Sequence, residues 1–139
     1  MGRIIAIDYG RKRVGLAVSD PLQLIANRLG TIQSAQIIDY LIGYIKNEQV
    51  DGFVVGYPKQ LNNKPSESIQ YVNAFLKQLA KHFPQIPVNL MDERFTSKIA
   101  LRAMIDAGLK KKDRQNKALI DSTSAVILLQ DYLQTIKNK

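Results

Sequence analysis

Apolar positions recur along this chain with two different periods. Ile4 to Tyr9 is an apolar, β-prone run, the turn-forming and charged Gly10-Arg11-Lys12-Arg13 interrupts it, and Val14 to Ser19 is apolar again. Two such runs across a short polar break predict a β-hairpin. Asp20-Pro21 breaks the second run, and a third, weaker strand is expected between Asn27 and Ile32. After Ser34, a candidate N-cap, Ile37, Ile38, Leu41, Ile42 and Ile45 recur on one helical face, giving a first helix to about Glu48. Gly52 to Gly56 (GFVVG) predicts a short buried strand, and Tyr57 to Pro65, with its Pro, Asn-Asn and Lys, predicts a loop. From near Ser66 the helical period returns in Ile69, Val72, Leu76, Leu79 and Phe83, closed by Pro84 and Pro87. Val88 to Met91 is another strand. A third helix is expected over Ser97 to Ala107, capped by Thr96 or Ser97 and stopped by Gly108. A basic loop, Gly108 to Lys117, then leads into a last helix over Ile120 to Ile136.

The order is three strands, helix, strand, helix, strand, helix, helix. A starting hairpin followed by β-α-β crossovers predicts an α/β fold, with a mixed five-stranded sheet flanked by helices. With 139 residues and neither internal repeat nor linker, residues 1–139 are expected to form a single domain.

Composition narrows the chemistry. The chain has no cysteine, which excludes disulfides and thiolate catalysis and fits a reducing compartment. Its one histidine, His82, cannot build a Cys/His zinc site within a monomer, and its place before Phe83-Pro84 reads as a helix-end residue near the negative end of the dipole. The opening apolar run is broken by Asp8 and is too short for a signal-peptide core, and no run is long enough to span a membrane. A cytoplasmic location is expected. Twenty Lys and Arg against twelve acids give a net charge of +8. That surplus points to a polyanionic partner, nucleic acid ahead of an acidic membrane surface.

Three acids stand at positions where chemistry is performed. Asp8 ends an apolar strand, and ligand sites in open α/β sheets lie outside such C-terminal edges. A turn-forming Asp accepting from the Gly10 or Arg11 amide is the alternative. Asp92-Glu93 follows another strand, and because adjacent strand residues face opposite ways, only one of the two can face a site; a solvated Asp-Glu-Arg turn is the alternative. Asp121 shares a helical face with Ala125, Leu128 and Tyr132, an apolar face expected to pack on the sheet, unless Asp121 is instead the N-cap of a helix beginning at Ser122.

Four segments in order carry a family resemblance: Ile7-Asp8-Tyr9-Gly10 with Gly15 and Ala17; Val54-Val55-Gly56-Tyr57-Pro58; Asp92-Glu93-Arg94-Phe95-Thr96-Ser97; and Lys117 through Asp121 with Ser124-Ala125. Together they resemble the YqgF (RuvX-like) family of Holliday-junction resolvases or ribosomal RNA precursor nucleases, over essentially the whole chain. The resemblance implies an RNase H-like fold, catalytic and metal-binding carboxylates at Asp8, Glu93 and Asp121, and products with a 5′-phosphate and a 3′-hydroxyl. It further suggests Asp8 as a bridging ligand flanked by Glu93 and Asp121, with Mg²⁺ as the expected ion and Mn²⁺ as a substitute. Such chemistry needs hard cations on carboxylate oxygens, since attack on a phosphodiester builds negative charge on the nonbridging and leaving oxygens. The chain departs from the family pattern at Tyr57, where Leu is usual, and at Asn62-Asn63, where an Asp-Gly element is usual. Both departures fall in or beside a loop, away from the acids.

Arg11, Lys12 and Arg13 occupy the turn beside Asp8, while Lys110, Lys111, Lys112, Arg114 and Lys117 precede Asp121. Both segments are placed to meet a phosphate backbone, as against serving only as solvated charged loops. The basic segments are not interleaved with aromatic residues, so base stacking and sequence-specific readout are not expected. The expected partner is structured RNA or branched DNA, bound by a monomer or a homodimer. An Asp-x-Gly at a first hairpin also opens actin-like ATPases and sugar kinases, but these need two domains around a cleft, for which 139 residues leave no room. A nucleic-acid-binding ribosome-assembly protein with little hydrolysis remains the nearest rival.

Overall fold

The computed structural model describes residues 2–57, 67–92 and 117–137. The predicted hairpin forms from β1 (Arg3–Tyr9) and β2 (Arg13–Ser19), closed by the Gly10 N–H donating to the Arg13 carbonyl at 2.9 Å. There follow β3 (Ala26–Gln33), α1 (Ile37–Asn47), β4 (Val50–Tyr57), α2 (Glu67–His82), β5 (Val88–Asp92) and α3 (Lys117–Lys137). The strands make one five-stranded sheet in the order β3-β2-β1-β4-β5. Its first three strands pair antiparallel, while β4 joins β1, and β5 joins β4, in parallel. The mixed sheet expected from the order of elements is thus the sheet found. The segment expected as a third helix, over 97–107, lies outside the described residues, as do the loops expected over 57–65 and 108–117 except for Tyr57, which ends β4, and Lys117, which opens α3.

Strand alternation divides the core into two layers. Ile5, Ile7, Leu16, Phe53 and Val55 face one side, where α1 covers them with Ile37 and Leu41 and α2 with Val72, Phe75 and Leu79. Ile4, Ala6, Ala17 and Val54 face the other, where α3 lays down Ala125, Leu128, Leu129 and Leu133. The sheet residues under α3 are mostly smaller, so this helix comes closer to its strands. Among the described residues, no helix is long and apolar enough to cross a membrane.

Three local details differ from the sequence-based reading. Ser34 does not cap α1: its hydroxyl donates to the Gly10 carbonyl at 2.6 Å, and its N–H donates to the Lys12 carbonyl at 3.0 Å. The carbonyls of the β1–β2 turn are the nearer partners, so Ser34 ties the end of β3 to that turn, and a short 3₁₀ segment, Ser34–Gln36, leads into α1 instead. In α2, Phe75 is fully buried and Leu76 only partly, because the stripe that meets the sheet follows 72, 75 and 79. The last helix begins at Lys117, four residues ahead of Asp121, so Asp121 lies in the helix body and is not an N-cap. His82 is the exposed last residue of α2, as its sequence context indicates.

Leu129 is fully buried between α3 and the sheet, whereas Ile136, at the end of the same helix, is 39% exposed. Leu129→Ala should lower unfolding stability by about 2–5 kcal/mol, and Ile136→Ala should change it by no more than about 0.5 kcal/mol, as read from urea midpoints at unchanged slope.

Candidate active site

Parity on β1 decides which way Asp8 looks. Ile5 and Ile7 face α1 and α2, whereas Ile4 and Ala6 face α3. Asp8 has the parity of Ile4 and Ala6, and it stands half-buried at the strand's C-terminal end. Its partner across the antiparallel ladder is Gly15 of β2. Opposed residues in such a ladder lie about 4.5–5.5 Å apart, with their side chains on one face.

Gly15 is where α3 touches the sheet. A Cβ built there would sit 2.1 Å from the carbonyl oxygen of Asp121, 2.4 Å from its carbonyl carbon and 2.9 Å from the N of Ser122. Only a residue without a side chain permits that approach. The backbone of Asp121 therefore rests on the residue opposite Asp8, and two acids far apart in the sequence lie at the same end of β1.

A cation is already built in between the hairpin and the helix. The Nε–H of Arg13 donates to Oδ2 of Asp121 at 3.0 Å, across 108 residues of sequence. Arg13 shares the parity of Gly15 on β2, so it reaches α3 along the same face. The pair is partly solvated, with side chains 41% and 28% exposed, so its contribution to stability is small, and its effect is to orient the carboxylate. Two residues further into α3, the Arg28 guanidinium of β3 donates to the Thr123 hydroxyl and holds the helix to the sheet's edge strand.

The other sequence-predicted residues are distributed as follows. Arg11 and Lys12 are exposed in the β1–β2 turn, beside Asp8 as expected. Arg13 is there too, but engaged with Asp121. Glu93, Lys110, Lys111, Lys112 and Arg114 lie outside the described residues. Lys117 is the first residue of α3, and its side chain lies outside the described set. The register of β5 pairs Met91 with Gly56 and Asp92 with Tyr57, and Met91 packs into the layer under α3. Among the described residues, no group of three His, Cys, Asp or Glu side chains gathers to hold a metal.

The RuvX family model, described as Holliday junction resolvase, matches residues 2–135. This chain belongs to the RuvX family. Among its relatives is a protein of Parabacteroides distasonis, 57% identical over 137 residues, covering 99% of this chain and 98% of the relative. Another, from Bacteroides thetaiotaomicron, is 54% identical over 135 residues, covering 97% of this chain and 98% of the relative. Both carry the name "Putative pre-16S rRNA nuclease". The fold is also that of a solved RuvC from T. thermophilus in complex with a Holliday junction substrate, at a TM-score of 0.59 and 15% identity, covering 97% of this chain and 96% of that one. The RNase H-like architecture implied by the motifs is therefore the architecture found.

Sequence reading of this RuvX-family chain identified Gly15 as part of a motif but not as the contact that seats α3. It placed Arg13 among the phosphate-facing cations and missed its pairing with Asp121. A lone Arg on a strand and a lone Asp in a helix carry no signal of each other. The contact between Arg28 and Thr123 was equally unsignalled.

Gly15→Ala should force α3 off the strand or strain both, costing about 1–3 kcal/mol. Gly43, in the middle of α1, has nothing within 4 Å of its would-be Cβ. Gly43→Ala should therefore stabilise by about 0.5–1 kcal/mol. Opposite signs for these two Gly→Ala changes in a thermal melt would verify the close contact, and a neutral Gly15→Ala would refute it.

Proposed function

We propose that this protein is a metal-dependent nuclease that hydrolyses phosphodiester bonds, acting in the cytoplasm on the 5′ end of a ribosomal RNA precursor. The reading assigns the activity to a single RNase H-like domain over residues 1–139, with Asp8, Glu93 and Asp121 as its catalytic and metal-binding carboxylates. The observation that carries it is the seating of the Asp121 backbone on Gly15, opposite Asp8, which gathers two of these acids at the strand end where α/β sheets hold ligands. Membership of the RuvX family and the names of relatives above 50% identity support the reaction class and the RNA substrate.

The donor set fits a hard divalent cation. Carboxylate oxygens suit Mg²⁺ or Mn²⁺, and histidine and cysteine ligands are not required. Asp8, Asp121 and, on this reading, Glu93 would hold it. When bound, such an ion offsets the charge that builds on the phosphate oxygens and lowers the pKa of the attacking water. The chain's own residues prepare that position. Arg13 occupies Oδ2 of Asp121, so among the described residues Oδ1 is the oxygen left to accept a further partner. Arg13 also places a positive charge beside Asp121 at the end of the helix-facing layer. Arg11 and Lys12, exposed on the turn beside Asp8, are positioned to neutralise backbone phosphates, a role we also assign to Lys110, Lys111, Lys112, Arg114 and Lys117. Glu93 is preferred to Asp92 because the alternation of β5 puts Met91 on the α3 face, and Glu93 follows it by two in the sequence.

A second reading, resolution of a four-way DNA junction, is favoured by the description of the family model. Symmetric cutting of a junction needs two active sites and hence a homodimer, whereas trimming of an RNA end is open to a monomer. Purified protein offered a ribosomal RNA precursor and a four-way junction, each with Mg²⁺, separates the two. Cleavage of the precursor at its 5′ side supports the first reading, and symmetric junction cuts by a dimer support the second. Tight binding without metal-dependent cleavage of either would make the protein an assembly factor and overturn both.

Asp8→Asn and Glu93→Gln should each lose about 3 kcal/mol or more of transition-state stabilisation, roughly a hundredfold or more in rate, while Asp92→Asn should stay near the parent. Equal losses for Glu93→Gln and Asp92→Asn, in folded proteins, would remove Glu93 from its role. Replacing Lys110, Lys111 and Lys112 together by Ala should flatten the slope of log affinity against log salt by up to about 2–3 units on duplex nucleic acid, measured without metal. The loss should be alike for all sequences, because backbone contacts carry no base information. An unchanged slope would place the approach of the substrate elsewhere.

A further inference from the structure

Tyr9 follows Asp8 on β1 and so faces the other side of the sheet. There, at the same strand end, a groove of about 380 Å³ opens among Tyr9, Arg11, Ser34, Ile38, Asp39 and Gln78, a size suited to a small organic group. Tyr9 is stacked on Phe75, with ring centroids 4.4 Å apart and planes 10° from parallel, which fixes one wall. The Arg11 guanidinium lies over the exposed ring of Tyr71, 5.3 Å from its centroid. A guanidinium held beside one ring remains able to stack on a second planar group. The Asp39 carboxylate and the Gln78 amide are exposed at the groove and make no side-chain hydrogen bond among the described residues.

This is not a phosphate cradle. One Arg is matched by one Asp, and a carboxylate at the rim repels an anion. It suits a neutral planar ring with amino and carbonyl groups on its edge. A carboxylate accepts from an exocyclic amino group, an amide both donates and accepts, and arginine stacks on the ring. The groove and Asp8 lie on opposite faces at the same end of β1, beside the β1–β2 turn with its exposed Arg11 and Lys12. We propose that the groove takes the base of an unpaired nucleotide adjoining the cleaved phosphodiester. This subsite rests on the nuclease reading and makes its substrate a nucleic acid with a single-stranded flank.

The probes are two fluorescent RNA duplexes, one blunt and one with forked, unpaired adenosine ends, titrated with metal-free protein. The parent protein should prefer the forked duplex. Asp39→Ala should weaken forked binding by about tenfold and leave blunt binding and its salt slope unchanged. Gln78→Ala should do the same in direction. Purine riboside in place of adenosine, lacking the amino group, should make Asp39→Ala and the parent bind alike. The sign is diagnostic, because Asp39→Ala removes a negative charge and a purely electrostatic contact would tighten. Free adenosine monophosphate should displace the forked RNA only at far higher concentration. Equal parent affinity for the two duplexes, unchanged or tighter forked binding by Asp39→Ala, a loss shared by the blunt duplex, or displacement by the monophosphate at comparable concentration would each overturn the proposal. The nuclease reading fails separately, by cleavage that survives Asp8→Asn or that never occurs, and neither result alters these binding ratios.

Discussion

The carbonyl of Asp121 lies where a side chain on residue 15 would have to be. That contact sets the height of α3 above the sheet, and the height in turn sets what can occupy the layer between them. Ala6, Ala17 and Ala125 line it because larger side chains would lift the helix away from Gly15. The opposite layer has no such constraint and is filled with Ile, Leu, Val and Phe under α1 and α2. The sheet thus has a thick face built for stability and a thin face built for proximity. The acids stand at the end of the thin face.

The hairpin that supplies Asp8 also supplies Arg13, from the strand that pairs with it. The guanidinium reaches Asp121 because β1, β2 and the first turns of α3 converge at the same sheet edge. An acid brought close to another acid is repelled, and a fixed cation at that point relieves the repulsion without closing both carboxylate oxygens. The pairing with Arg13 therefore restrains one oxygen of Asp121 and leaves the carboxylate partly exposed. Ser34 adds a second brace, since its hydroxyl ties the end of β3 to the Gly10 carbonyl in the turn that follows Asp8 and Tyr9.

That turn divides two environments of opposite character. On one side stand carboxylates suited to metal and phosphate chemistry. On the other are a stacked tyrosine, an arginine over an aromatic ring, and an exposed acid and amide that make no side-chain hydrogen bond among the described residues. The basic residues of the turn sit between them. The likeness to RuvC extends to the fold alone, so the groove is read from this chain's own residues.

The strands, the first two helices and the mixed sheet were legible in the sequence because each rests on a local pattern: apolar, β-prone runs in Ile4 to Tyr9 and Val14 to Ser19, and three-and-four spacing in Ile37 to Ile45 and Ile69 to Phe83. Family motifs carried the acids, since Asp8 and Asp121 each have a plausible local use as turn or cap. Tertiary structure alone decided between helix body and N-cap for Asp121, that Gly15 seats that helix, and that Arg13 belongs to Asp121. It alone brought Arg11 over Tyr71, a ring far from it in the sequence. The physical reason is range. Periodicity and capping act over one or two turns of chain, whereas these contacts join segments whose only connection is the packing of layers across the sheet, and no residue carries a local mark of the partner that packing will give it.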